Sequence, residues 1–412
     1  MKKLLIHYNG WGEHWLLGTL ADNGRELLFE YSAEALRQGL ELSPHRLKLQ
    51  APAYGRFAAH QWGLPGLVAD ALPDGWGLLL MDRLFRQQGL NVAALSPLHR
   101  LAFIGERAMG ALSFEPAEPL TLAEKELSLR ALAREAQRVV AGQDSMALTQ
   151  LALMGGSPQG ARPKVLVYYQ RHSGTMSTQP RPGFAPWLVK FQAQGEHKEA
   201  CAIEALYAEL ARRCGLEVPD TQHFDLGPKL AAFGIARFDR EADQRVPVHT
   251  LAGALHADHR RPGAVDYTTL LRVTRLFTRD EREVRKAYER TAFNVLFNNR
   301  DDHPKNLSFR LGRDRCWRLA PCYDLTFCEG TGGEHQMDVC GEGRAITRAL
   351  MLRLAQEGGL DAAWAATVLD CMGEQAGQLI RLAAARAATS PMRPATLKRV
   401  VASVQANLAR WL

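Results

Sequence analysis

Apolar and polar positions along the chain change period several times, and each change marks an element. Near the start they alternate. Leu4–Tyr8 and Trp15–Leu20 read as strands, and Asp22-Asn23-Gly24 has the turn chemistry of a hairpin leading into Glu26–Tyr31. Helical and loop segments follow, including Asp82–Gln88 after the Leu72-Pro73-Asp74-Gly75 turn, and Ile104–Leu112 reads as a short turn entering a strand. Pro116 and Pro119 mark a linker before a charged helix over Leu122–Val140. Strand patterns return at Val165–Gln170 and Pro186–Phe191. Glu199–Cys214 is then helical, with Ile203, Leu206, Tyr207 and Leu210 on one face and Gly215 as the stop signal. Further on, Val284, Ala287, Tyr288, Thr291, Val295 and Leu296 recur at helical spacing, and Glu281 stands one turn from Arg285. The mixture predicts an α+β protein in three parts: a β-rich 1–118, a glycine-loop and strand region 119–244, and a mostly helical 245–412.

The last of these helices breaks into the polar run Asn299-Arg-Asp-Asp-His-Pro-Lys-Asn306. Pro304 removes a backbone donor and forces His303 into extended geometry, so the helix ends before it. A loop carrying Asp301, Asp302, His303, Lys305 and Asn306 results, and loops of this kind commonly carry catalytic groups. Asp, four residues, Asn is the spacing of a kinase catalytic loop, where the Asp accepts the substrate hydroxyl proton and the Asn holds a metal ion. A second metal-binding Asp is then required downstream, and Asp324 in Pro321-Cys-Tyr-Asp-Leu325 is well placed. Asp and Asn oxygens suit Mg²⁺. Taken alone, the same pattern serves equally as an Asx-rich turn closing a helix.

Upstream, Met154-Gly-Gly-Ser-Pro-Gln-Gly-Ala-Arg-Pro-Lys164 is glycine-rich and runs directly into a strand. Gly155 and Gly160 have Walker A spacing, but Ala161 and Arg162 stand where that motif demands Lys and Ser or Thr, and no helix follows. A glycine loop between two strands, lying over phosphates, is the kinase arrangement instead; a plain hairpin is the alternative. Pro186-Trp-Leu-Val-Lys-Phe191 holds a single Lys190 among apolar neighbours. Buried there, its ammonium needs a counter-charge, and Glu204, flanking the apolar stripe of the next helix, is the candidate. An edge-strand lysine would explain Lys190 alone. The ordered series of loop, Lys, Glu, Asp, Asn and Asp is harder to reach by chance.

Composition narrows the class. The chain has 412 residues, 46% hydrophobic and 23% charged, which is ordinary globular composition and argues against disorder. No window reaches the apolar length of a membrane span, and the N-terminal apolar run is too short for a signal peptide, so a cytoplasmic location is expected. Seven cysteines without CxxC pairs fit a reducing compartment. Cys316, Cys322, Cys328, His335 and Cys340 have spacings that match no common zinc module, and His249, His256 and His259 read as structural rather than as ligands. Net charge is +7, with six basic and no acidic residues from Gln375 to Leu412. A basic segment can attract nucleic acid or an acidic partner, although a solvated helix face explains it as well.

Taken together, Gly156-Ser157-x-x-Gly160-Ala-Arg-Pro-Lys164, Ala236-Arg-Phe-Asp-Arg240, His249-Thr-Leu-Ala-Gly253, Asn299-Arg-Asp-Asp-His-Pro-Lys-Asn306 and Tyr323-Asp-Leu325 resemble the HipA toxins, serine/threonine kinases of bacterial toxin–antitoxin modules. The resemblance is weak over the first 115 residues and strong from Met154 to Asp324. It implies an atypical kinase fold related to lipid kinases, with a HipA N-terminal domain in 1–118, an ATP-binding lobe in 119–244 and a helical kinase lobe in 245–412. It implies Asp301 as the base, with Asn306 and Asp324 holding Mg²⁺. Lys190 (paired with Glu204) would then contact ATP phosphates beneath the loop of Gly155, Gly156, Ser157, Gly160 and Lys164. His303 and Lys305 would stabilise charge on the transferred group. The backbone around Ala236 and Phe238 would bind adenine; many relatives have Glu where Ala236 stands, a change a main-chain contact tolerates. Ser157 would be an autophosphorylation site. The implied partners are a small helix-turn-helix antitoxin of the HipB type, operator DNA mainly through that antitoxin, and an aminoacyl-tRNA synthetase as substrate. A kinase-like co-repressor and a small-metabolite kinase stay open as alternatives.

Overall fold

The computed structural model describes residues 1–117, 128–389 and 391–412. Pro119, the first residues of the helix expected over Leu122–Val140 and the 118/119 boundary lie outside the described residues.

Strands β1 (Lys3–Tyr8), β2 (Trp15–Asp22), β3 (Leu27–Tyr31) and β4 (Leu112–Glu115) form an antiparallel sheet in the order β3-β2-β1-β4. Alternation decides its two faces: Leu4, Ile6 and Tyr8 point into the core and the residues between them do not. The expected hairpin turn is present. Asn23 accepts at Oδ1 from the amides of Arg25 and Glu26, both at 2.9 Å, and Gly24 has φ +85°.

The helix expected over Asp82–Gln88 begins much earlier, at Gly75, with Asp74 as its N-cap residue, and ends at Gln87. Trp76, Leu80, Met81, Leu84 and Phe85 supply a buried stripe at helical spacing, so tertiary burial overrides the turn chemistry of Pro73-Asp74-Gly75. Pro97–Ile104 is a further helix leading to β4. The described part of the next helix, Leu129–Val140, is capped by Ser128.

The glycine-rich segment does not lie between two strands. A helix, Leu148–Gly155, runs into it, because Leu148, Leu151, Ala152 and Met154 are all buried. Strands follow it: β5 (Lys164–Gln170), β6 (Thr175–Ser177), β7 (Ala185–Phe191), β8 (Thr221–Asp225) and β9 (Ala231–Ala236) make an antiparallel sheet in the order β6-β5-β7-β9-β8. The helix Glu199–Arg213 packs against β8 and β9.

After a two-stranded ribbon, β10 (Arg240–Glu241) and β11 (Gln244–Arg245), the chain becomes mostly helical. A small sheet of β12 (Val248–Thr250), β13 (Ser308–Leu311) and β14 (Trp317–Leu319) sits among helices that include Tyr267–Thr278, Glu281–Leu296 and Pro394–Ala409. Val284, Ala287, Tyr288, Thr291, Val295 and Leu296 are all buried, as their spacing predicts. The Glu281–Arg285 pair does not form. Glu281 turns back to Arg275 at 2.5 and 2.7 Å, and Arg285 lies over the Trp364 ring. Among the described residues, no helix is long and apolar enough to cross a membrane.

The three regions interlock through buried charge. Asp239, between β9 and β10, accepts from Arg237 at 2.8 and 2.9 Å, from Arg240 at 2.8 Å and from the Gly110 amide at 2.8 Å. Arg245 adds bonds to the Gly110 and Leu112 carbonyls at 3.0 and 2.6 Å. Removing the carboxylate strands two buried guanidinium groups. Asp239→Ala is expected to cost about 3–5 kcal/mol in chemical denaturation; a loss under 1 kcal/mol contradicts this assignment.

Candidate active site

The site is a cleft floored by the helical lobe and roofed by the five-stranded sheet. Lys190 is its centre. It lies on β7 directly opposite Lys164 of β5, in register, so two lysines come side by side under the glycine-rich segment. The Lys190 ammonium is buried and bonds Glu204 Oε2 at 2.7 Å and Asp324 Oδ1 at 2.5 Å. Burial alone would lower its pKa, but the charges of Asp324 and Glu204 outweigh that and hold it well above the usual lysine value. Glu204, buried behind the strand, also receives Arg162 at 2.7 Å, and Arg162 reaches Glu196 at 3.0 Å.

Among the described residues no carboxylate bonds Lys164, and its ammonium donates to the Gln159 carbonyl. Burial, reinforced by the charge of Lys190, pushes its pKa down to about 8. Asp324 stands in the left-handed region at φ +54°, which Asp tolerates better than most residues. Although burial works against ionisation, Lys190 and Lys164 hold its carboxyl well below the ordinary range. With Oδ1 on Lys190, its second oxygen is left for another cation.

The polar loop after Glu281–Leu296 has the predicted shape: His303 is extended, and Pro304–Asn306 form a single 3-10 turn. Asn306 donates through Nδ2 to the Asp301 carbonyl at 2.8 Å, which leaves its Oδ1 free to face a ligand in the cleft it lines. Partial burial, with the charges of Asp324 and Asp302 adding to it, raises the Asp301 carboxyl above the usual carboxylate value. Asp301 is half exposed and stands 3.8 Å from His303 Nε2. Its neighbour Asp302 is fully buried and bonds Tyr267 at 2.5 Å, His335 at 2.7 Å and the Gln336 amide at 2.8 Å, fixing the loop from behind.

Of the residues singled out in the sequence, Gly160, Lys164, Lys190, Ala236, Phe238, His303, Lys305, Asn306 and Asp324 line this one cleft. Gly155, Gly156, Ser157, Glu204 and Asp301 do not: Glu204 sits buried behind Lys190, and Asp301 stands half exposed beside His303. Gly155 ends its helix under Trp76, where a Cβ would meet the Lys164 carbonyl at 2.4 Å; Gly156 packs on Ala152 and Phe103. Their small size serves helix packing. Ser157 is buried, and its hydroxyl has no hydrogen-bond partner among the described residues. The Ala236 amide is already taken by the Asp220 carbonyl at 2.8 Å, and that of Arg237 by Pro186 at 2.9 Å. Phe238, its ring tilted against that of Tyr323, keeps the backbone amide that an adenine edge could use. His249 and His256 are structural, bonded to Asp70 at 2.7 Å and to the Gly66 amide at 3.1 Å.

Sequence reasoning missed the share of the N-terminal region. Asp70, Asp74, Met109 and Gly110 line the same cleft, and Asp74 bonds Lys305 at 3.0 Å. No local pattern marks them; the one available signal was Leu72-Pro73-Asp74-Gly75, which reads simply as a turn.

An antiparallel sheet carrying a Lys–Glu pair over a helical lobe with an Asp–x4–Asn loop is the architecture of a protein-kinase-like fold. The family comparisons are specific. The HipA-like C-terminal domain matches residues 156–403 and the HipA N-terminal domain matches residues 9–115. The chain belongs to the HipA family. Its fold is similar to that of HipA from Shewanella oneidensis, solved with HipB and its operator DNA: TM-score 0.71 and 18% identity, over 99% of this chain and 97% of that one. The Helicobacter pylori proinflammatory kinase CtkA is a looser likeness, with TM-score 0.40 and 11% identity over 61% of this chain and 89% of that one. No curated protein sequence matches the chain.

Glu204 is the group that the buried Lys190 and the part-buried Arg162 share. Lys190 retains Asp324 and Arg162 retains Glu196 without it, so Glu204→Ala is expected at the low end for a broken buried pair, about 3 kcal/mol. Urea denaturation checks this, and an unchanged midpoint contradicts the pairing.

Proposed function

We propose that the chain is an ATP- and Mg²⁺-dependent protein serine/threonine kinase that acts as the toxin of a HipBA-like module. The observation carrying this is Lys190 held between Glu204 and Asp324, with Asn306 and Asp301 on the facing loop. Asn306 Oδ1 and the free oxygen of Asp324 suit Mg²⁺, which takes few protein ligands and leaves its other positions to water and phosphate oxygens. Bound there, the ion would neutralise charge on the phosphates. Lys190, Lys164 and the Gly160 amide would orient those phosphates, and the Phe238 amide would receive adenine. Asp301, with its raised pKa, would take the proton of a substrate hydroxyl, and His303 and Lys305 would offset charge on the group in transfer.

HipA of Shewanella was solved with HipB and operator DNA, and by analogy the partner of this chain is a helix-turn-helix antitoxin that carries most of the DNA affinity. The basic C-terminal segment supports that division. Arg393 is already bonded to Glu199 at 2.8 Å and Arg410 to Asn407 at 2.8 Å, so part of its charge holds the fold. A translation component such as an aminoacyl-tRNA synthetase is the proposed substrate. Ser157 is the proposed autophosphorylation site; its buried hydroxyl must leave the core to be modified.

Asp301→Asn keeps the side-chain shape and removes the charge and the basic oxygen, so nucleotide binding should persist while phosphoryl transfer falls on the order of 10²–10⁴. Radiolabelled transfer with a bacterial lysate tests this, and mass spectrometry should find phosphate on Ser157 in the wild type alone. Equal transfer in both proteins contradicts the kinase reading.

The lowered pKa of Lys164 gives a pH signature. Its charged form favours phosphate, and it loses its proton as pH rises through about 8. Nucleotide affinity should therefore be highest below 8 and decline above it, and Lys164→Met should flatten the profile. A wild-type profile that is flat from pH 7 to 9 contradicts a phosphate role for Lys164.

A further inference from the structure

The N-terminal region places a carboxylate among the groups that would bind nucleotide phosphates. Asp74, at the start of the helix Gly75–Gln87, accepts through Oδ1 from the Gly160 amide and through Oδ2 from Lys305 Nζ at 3.0 Å. One donor belongs to the glycine-rich segment and the other to the catalytic loop, and both line the same cleft as Lys190 and Asp324. A carboxylate bound to a loop amide and a lysine occupies the donors that a phosphate would require.

We propose that Asp74 is a gating residue that competes with nucleotide phosphate for Gly160 and Lys305. The inference rests on the kinase reading of the cleft. The carboxylate is not what keeps the glycine-rich segment in place. Trp76 Nε1 donates to the Lys164 carbonyl at 2.9 Å, and Gln159 Nε2 donates to the Asp70 carbonyl at 3.1 Å. Gly75 packs so tightly on Ala161 that a Cβ there would lie 2.6 Å from its Cα. These contacts persist when the charge of Asp74 is removed. The segment stays docked, and Lys305 becomes free for an incoming anion. Asp74 thus gives the N-terminal region a direct hold on nucleotide affinity: whatever moves the Pro73–Trp76 corner changes the competition.

Asp74→Asn tests the charged part, since Asn can still accept from the Gly160 amide but cannot hold Lys305 as an ion pair. Asp74→Ala removes both acceptors and serves if the first variant does not fold. Isothermal titration of the full chain would use Mg²⁺ with the non-hydrolysable ATP analogue AMPPNP, and separately adenosine, which carries no phosphate. The gate predicts that AMPPNP binds either variant about tenfold more tightly than wild type, the scale of one charge-assisted contact, with adenosine affinity unchanged. Equal or weaker AMPPNP binding beside unchanged adenosine binding overturns the gate and leaves the kinase reading intact. Failure of both ligands to bind any form overturns both.

Discussion

An ammonium group sealed inside a protein has no water to solvate it, and left alone it would lose its proton or destabilise the fold by several kcal/mol. Lys190 is in that position here, and two carboxylates answer it. Glu204 comes from a helix packed on the sheet and Asp324 from the segment after β14 in the other lobe. Each is placed by its own burial pattern, and the shared ammonium fixes the distance between them. The roof and floor of the cleft are therefore joined by one cation. Arg162 extends the chain of alternating charge to Glu196, and Lys164, lying in register beside Lys190, is the member left without a carboxylate of its own. That asymmetry makes Lys164 the more weakly charged of the two lysines and leaves the cleft receptive to an anion.

The N-terminal region is part of this arrangement. Asp239 binds Gly110 to the segment after β9, Asp70 bonds the Thr250 amide and hydroxyl at 2.8 and 2.7 Å, and Asp74 reaches Lys305. Three buried or half-buried carboxylates thus pin the cleft from the side, with charge-assisted bonds that tolerate little displacement. On the far face of the Asp301–Asn306 loop, Asp302 does the same through Tyr267 and His335. Asp301 is consequently mounted on a loop held from both sides, while its own carboxylate stays half exposed.

Much of this was legible in the sequence. Lys190 stood out because one cation interrupts an apolar strand, and Glu204 because helical spacing set it beside the buried stripe. The Asp301–Asn306 loop was marked by Pro304 and by the end of helical periodicity. Physics that acts at a distance was not legible. Lys305 and Asp74 are 231 residues apart, and no propensity or spacing connects them. Gly155 and Gly156 read as approach points for phosphate, yet the structure uses Gly155 where a helix meets β5 and Trp76 and Gly156 against Ala152 and Phe103, since smallness serves both purposes equally. Glu281 takes Arg275, which reaches both of its oxygens, while Arg285 lies over the Trp364 ring, a choice set by tertiary neighbours and not by helical spacing.

The central claim is that Lys190, held by Glu204 and Asp324, organises a Mg-nucleotide site. Calorimetric titration of ADP into wild type and Lys190→Met, with Mg²⁺ and then with EDTA, tests it most directly, circular dichroism serving to confirm that both proteins are folded. The account predicts Mg²⁺-dependent binding in wild type and at least a tenfold loss of it in folded Lys190→Met. Equal Mg²⁺-dependent affinity in the two proteins would contradict it.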